Sequence, residues 1–249
     1  MKERKVMFVV DDLGLHPATD RATYRAAGGG AVTGADLMMN QPRTKTALRE
    51  MQDYPDVSIG VHINIFPGSA IRANTPDAVV FRRNPSERMG LLIAQSKDQI
   101  KRYQDETGKN PDHISTHNHT HLDMDGNVFP QFVDAVLDVV GEGNTVVRGQ
   151  DTDQIRHCRV ATLSKGIPPL SPEAFENLLR TSPDNGRPLE LLVHPGLPPE
   201  KGEVPLDDEY SLDLRVFDLH AVEAYKANQT VTKAGFRFVT PKEVIIDRA

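Results

Sequence analysis

The sequence predicts an α/β fold built on a mostly parallel sheet, and three observations carry that prediction. Short apolar runs alternate with longer amphipathic segments along the 249 residues, the order in which β and α units follow one another in parallel-sheet domains. The first run, residues 6–10 (VMFVV), has no polar alternation, so it is expected to be buried on both faces as an inner parallel strand is. Ionisable residues then follow five of the runs directly, at the edge where loops converge in α/β barrels and open parallel sheets.

Taken in order, the candidate strands are residues 6–10, 57–63, 113–116, 145–147, 189–193 and 236–239. Between them an Ala-rich helix over 18–27 stops at the glycines 28–30, where backbone freedom ends a helix easily. Ser86 is placed to cap a long amphipathic helix toward Glu106, closed by Gly108 and Pro111. Ser171 before Pro172 is a second helix entry, and Thr240, Pro241 and Glu243 spell a capping box. The stretch from Phe66 to Pro85 is long and irregular, a binding lid or a surface excursion.

No linker, low-complexity tract or repeat divides residues 1–249, so a single domain is expected. The formal charge of −6, with both signs interspersed, offers no basic stripe and argues against nucleic acid as a partner. The apolar run in MKERKVMFVVDD has five residues, too short for a signal-peptide core or a membrane span. Cys158 has no second cysteine to pair with, and a cytoplasmic setting is expected.

The residues that follow the runs are Asp11 and Asp12, His62, His117, Arg148 and His194. Any one of them reads most simply as a turn former, a cap or a satisfied core residue. Together they resemble the oxygen and nitrogen ligand set of a divalent metal, with no thiolate needed. The stretch HISTHNHTH, residues 113–121, reads as a strand running into a loop. A two-residue period places His113, His117, His119 and His121 on one side, with Ile114, Thr116 and Thr120 on the other. Not all four imidazoles can bind one ion, and His113, before the strand end, is expected to be structural.

VVDDLGL, GAVTGADLMMN, SIGVHINI, PDHISTHNHTH and LLVHPG, in that order, resemble the pattern of the YdjC/ChbG family of carbohydrate deacetylases over about residues 5–196. The resemblance implies a distorted (β/α) barrel of the polysaccharide-deacetylase type that holds one divalent metal and removes acetyl groups from N-acetylated sugars such as chitin oligosaccharides. It also implies metal ligands at Asp12, His62 and His117, a catalytic base at Asp11, an acid at His194, and Arg148 as an orienting group for a carboxylate. His119 and His121 are expected to line the cleft or support the ligands.

The sequence departs from that pattern in two places. Val9, Val10 and Leu13 flank the aspartates where the family has Asn and Ala before them and Phe after, and Ser115-Thr116 replaces Asp-Ser before the ligand histidine. The second change removes a carboxylate that could steer an imidazole or hold substrate. The donor set favours magnesium or zinc and also suits manganese, cobalt or nickel. With no tryptophan in the chain, sugar stacking falls to Tyr, Phe or His, which favours a small glycan as substrate. Hydrolysis of another amide, ester or phosphoester bond, and a non-catalytic sugar or metal binder, stay open as alternatives. Family members are often dimers, which implies a homodimer; MGLLI, residues 89–93, packs either in the core or between subunits.

Overall fold

Residues Arg4–Leu13 form β1, the strand around which the sheet is organised, and its residues 6–10 are all at most 1% exposed, as the unbroken apolar run requires. The computed structural model describes residues 3–65, 85–123, 125–154, 170–182, 184–203 and 212–247. Among them the further strands are β2 (Gly34–Leu37), β3 (Ser58–Ile63), β4 (His113–Thr116), β5 (Val146–Val147), β6 (Asp153–Gln154), β7 (Leu189–Val193) and β8 (Phe236–Phe238). Every pairing is parallel, in the order β5-β4-β3-β2-β1-β7-β6, with β8 alongside the first residues of β1. This curled parallel sheet with its crossover helices is a distorted (β/α) barrel.

Six strands fall on the expected apolar runs. β2 and β6 do not: β2 is only GADL, two small residues and an aspartate in four, and β6 is two residues long, so neither makes an apolar run.

Helix ends follow local chemistry. Helix Pro17–Gly28 is entered by His16, whose side chain accepts from the Ala18 amide, and it runs out into Gly29 and Gly30, the latter at φ +62°. Ser171 caps Pro172–Thr181 through the Ala174 amide, and Thr240 and Glu243 form the expected reciprocal box at Pro241–Ile246. One expectation is corrected: the long helix is Pro85–Thr107, so Ser86 lies inside its first turn, where a leading proline sacrifices no needed hydrogen bond. In MGLLI, Leu92 is fully buried and Met89 packs on the core, which favours the core reading. The stretch 66–84 and Cys158 lie outside the described residues. Among the described residues no helix is long and apolar enough to cross a membrane.

In-register neighbours of a parallel sheet share a face, and the register therefore assigns the barrel interior. Val6, Phe8 and Val10 belong to the main apolar core, whereas Met7 and Val9 join Val146, Val239 and Val244 in a second, smaller cluster. Further along the strands on that second side stand Glu190 beside Met7, Asp36 beside Gly60, His62 beside Ser115, and His113 beside Val146. The sheet thus encloses an apolar floor with a buried polar layer above it. Toward the carboxyl ends of the strands that layer becomes the candidate site.

Candidate metal centre

Strict alternation along β1 would send Asp11 and Asp12 to opposite faces. A register irregularity against β2 between Val10 and Leu13, with Asp12 at φ +68°, prevents that. Aspartate tolerates this left-handed conformation better than most residues, and the bulge turns both carboxylates into one cavity. His62 Nε2 then lies 3.5 Å from Asp12 Oδ1 and 3.9 Å from Asp11 Oδ2.

Asp12, His62 and His117 meet the geometric demand of an ion site: one ligand atom from each lies within 4.8 Å of the others, and all three residues are buried. His117 Nδ1 is 3.0 Å from Asp12 Oδ1. A second grouping, Asp11, Asp36 and His62, satisfies the same distance test. Its carboxylates are already engaged by a cation, because Arg148 places Nη2 2.7 Å from Asp11 Oδ1 and 3.5 Å from Asp36 Oδ2. A metal fits the first grouping, where one carboxylate oxygen and two imidazoles make a donor set suited to a divalent cation and leave coordination positions open. Asp12 keeps Oδ1 for that side, since its Oδ2 accepts from Arg215 Nη2 at 2.8 Å. Its carboxyl is held well below the usual range: burial opposes ionisation, and neighbours including His117 and the Arg215 guanidinium outweigh it.

Arg148 grips Asp11 with both ends of its fork, Nη1 to Oδ2 and Nη2 to Oδ1 at 2.7 Å each, and donates from Nε to Glu190 at 2.6 Å. All three side chains are buried. Burial would raise Asp11, but the guanidinium overrides it and the carboxyl stays far below its ordinary value. His194 also approaches that carboxylate, Nε2 3.7 Å from Asp11 Oδ2, and its backbone amide donates to Asp218 at 2.8 Å.

The histidine cluster does not keep a two-residue period, and that expectation is corrected. β4 ends at Thr116, residues His117–His119 form a 3₁₀ turn, and Asn118 and His119 adopt positive φ of 56° and 52°. The imidazoles consequently take different surroundings. His113 has Asp36 Oδ2 2.7 Å from Nδ1 and Glu190 Oε2 3.3 Å from Nε2, so both nitrogens donate. Burial alone would lower its pKa; the two carboxylates more than compensate and raise it to about 10. His121 is the opposite case. Burial and then the Arg148 charge depress it to about 3, and the neutral ring bridges Thr116 Oγ1 and the Arg148 carbonyl. Being fully buried against Phe132, it supports the wall of the site and does not line the cleft. His119 is half-buried.

Sequence reasoning missed Asp36, Glu190, Arg215 and Asp218. Glu190 is a single charge inside the apolar run LELLV, and a buried charge must find a partner, which is the signal that could have flagged it; Asp36 lies in GADL, which makes no apolar run and carries no such signal. Arg215 and Asp218 lie on helix Leu212–Ala227, beyond the last recognised motif, and no local pattern marks them. Gly196 of the HPG motif is the clue in retrospect: a Cβ there would come 2.7 Å from Arg215 Cβ, so the glycine admits the helix to the site.

The fold and site define a (β/α)-barrel protein with a buried Asp-His-His grouping able to hold a metal at the carboxyl ends of its strands. The chain belongs to the YdjC-like protein family, whose model matches residues 5–232. Among curated relatives, a carbohydrate deacetylase of Geobacillus stearothermophilus is 31% identical over 127 residues, 48% of this chain and 51% of that protein. One from Oceanobacillus iheyensis is 25% identical over 209 residues, 77% of this chain and 85% of that one. The matched stretch spans about half the length of the Geobacillus stearothermophilus relative. Among solved structures, a protein of Enterococcus faecalis V583 named for cellobiose-phosphate cleavage superposes with a TM-score of 0.65 at 15% identity, covering 98% of this chain and 99% of that one. A family 4 acetyl xylan esterase from Clostridium thermocellum, in complex with a cobalt ion, gives 0.54 at 14% identity, covering 98% and 92%. At these identities the two structures bear on the fold alone.

Proposed function

We propose that the protein is a metal-dependent carbohydrate N-deacetylase that cleaves the acetamide of a small N-acetylated sugar or a short chitin-type oligosaccharide. One observation carries the reading: the Asp12, His62 and His117 ligand atoms converge beside a carboxylate, Asp11, that lies outside that ligand set and has the His194 imidazole 3.7 Å from one of its oxygens. A divalent cation bound there supplies Lewis-acid polarisation of the acetyl carbonyl and acidifies water, worth several kcal/mol of barrier. Asp11 takes the proton of the attacking water as its oxygen bonds to the acetyl carbon. His194 gives a proton to the sugar nitrogen as the carbon–nitrogen bond breaks, leaving acetate and a free amine. Arg148 keeps Asp11 ionised and fixes its orientation, and the carboxylate still has lone pairs outside the fork.

Phosphoester substrates fit less well. The two buried guanidiniums at the site, Arg148 and Arg215, are already bonded to Asp11, Glu190 and Asp12. The family's curated relatives named carbohydrate deacetylase support the substrate class. The test is acetate release from N-acetylglucosamine and chitin oligomers after chelation and add-back of magnesium, zinc, manganese, cobalt or nickel. Release that requires metal and collapses in Asp11→Asn is expected. No release with any metal, or undiminished release in that variant, overturns the reading.

A further inference from the structure

We propose that Asp36 and Ser115 form a positioning relay that fixes the ring orientation and tautomer of His62, presenting Nε2 to the ion site. The inference rests on the metal reading of Asp12, His62 and His117 for its purpose, though not for its geometry. Ser115 Oγ donates to Asp36 Oδ2, and the same hydroxyl lies 2.7 Å from His62 Nδ1. A hydroxyl has one proton. With that proton directed to the carboxylate, Ser115 can only accept from the imidazole, so Nδ1 carries hydrogen and the lone pair falls on Nε2. Nε2 is the nitrogen that faces Asp12 Oδ1 and Asp11 Oδ2. Outer hydrogen bonds of this kind set which imidazole nitrogen ligates and how the ring is aimed.

The rest of the barrel interior is built to hold Asp36 in that role. Its Oδ2 is surrounded by donors, with His113 Nδ1 at 2.7 Å and Arg148 Nη2 at 3.5 Å in addition to Ser115. Its Oδ1 lies over Gly60 of the neighbouring strand, where a Cβ would come within 2.1 Å of it. Glycine at 60 therefore makes room for the carboxylate. Asp36, Ser115 and His62 are each at most 1% exposed, so water does not compete for these bonds. Ser115 also stands where the family pattern carries an aspartate. The relay supplies that carboxylate from β2, the strand on the other flank of β3, with the serine hydroxyl as the link.

Two measurements test this: the tautomer of His62 by ¹⁵N NMR of metal-free protein at pH 9, and zinc affinity by calorimetry. Wild type, Ser115→Ala, Asp36→Ser and the exchange Asp36→Ser/Ser115→Asp are compared. Nδ1–H is expected in wild type and in the exchange variant. Ser115→Ala and Asp36→Ser are expected to lose that tautomer and to bind zinc about 10- to 100-fold more weakly. The exchange variant regains most of the affinity, an outcome that mere loss of packing would not give. The proposal is overturned if wild-type His62 carries its proton on Nε2, or if Ser115→Ala leaves both tautomer and affinity unchanged. Ser115→Ala decides alone should Asp36→Ser fail to fold. A wild type that binds zinc while the variants bind it equally well sinks the relay and spares the metal reading. A wild type that binds no zinc sinks the metal reading, and the tautomer then judges the relay.

Discussion

Replacing His113 by glutamine is expected to flatten the dependence of stability on pH between about 7 and 9.5. In the folded protein the imidazole is fully buried; that burial disfavours its charge, but Asp36 and Glu190 outweigh it and raise its pKa to about 10 from the ordinary 6.5. Between those values the folded state holds one proton more than the unfolded state. Stability therefore falls as pH rises, by about 1.4 kcal/mol per pH unit. The contribution is fully present below about 6.5 and gone above about 10, a total on the order of 5 kcal/mol, comparable to the whole stability of a marginal domain. Urea unfolding of wild type and His113→Gln at half-unit pH steps isolates the effect, because other titrating groups largely cancel in the difference. Curves that run parallel across the window, or an NMR titration of His113 centred near its ordinary pKa, would refute the reasoning.

Other perturbations follow from the same geometry. Gly60→Ala puts a methyl group 2.1 Å from Asp36 Oδ1 and 2.5 Å from the His113 carbonyl, and should cost about 1–3 kcal/mol or more of unfolding free energy in urea melts. Arg148→Lys replaces a two-pronged grip on Asp11 by a point charge, so burial is less fully offset and the Asp11 pKa rises. The acid limb of acetate release should then move to higher pH, and an unchanged pH–rate profile would count against Asp11 as base. His117→Ala removes one of three candidate ligands and should weaken zinc binding by about 100-fold or more in calorimetry. Arg215→Met removes the donor on Asp12 Oδ2; about 10-fold weaker metal binding is expected, and equal affinity would show that Asp12 is held by other means.

Much of the candidate site was legible in the sequence. Asp11, Asp12, His62, His117, Arg148 and His194 each follow or end an apolar run, and a parallel sheet gathers such positions at one edge whatever the details of its packing. The apolar character of 6–10 likewise sufficed to place β1 inside the sheet. The four clustered histidines show where that legibility stops. Identical side chains within nine residues became a cation at His113, a neutral wall at His121, a candidate ligand at His117 and a half-buried neighbour at His119. Their environments come from strands and loops distant in sequence, and the 3₁₀ turn after Thr116 breaks the period that local reasoning relied on.

The sequence by itself determined the class of fold, six of the eight described strands and the edge at which the candidate chemistry collects, because those depend on runs of apolar residues and on what comes next. Tertiary structure alone decided which partner each charge received. The left-handed turn at Asp12 depends on the register of β1 against β2, and the reach of Asp36 through Ser115 to His62 and the arrival of Arg215 from the helix beyond Gly196 depend on contacts between residues 53 to 203 positions apart. A pairing of that kind is set by which side chains fit together across the barrel, and no stretch of chain contains both halves of it.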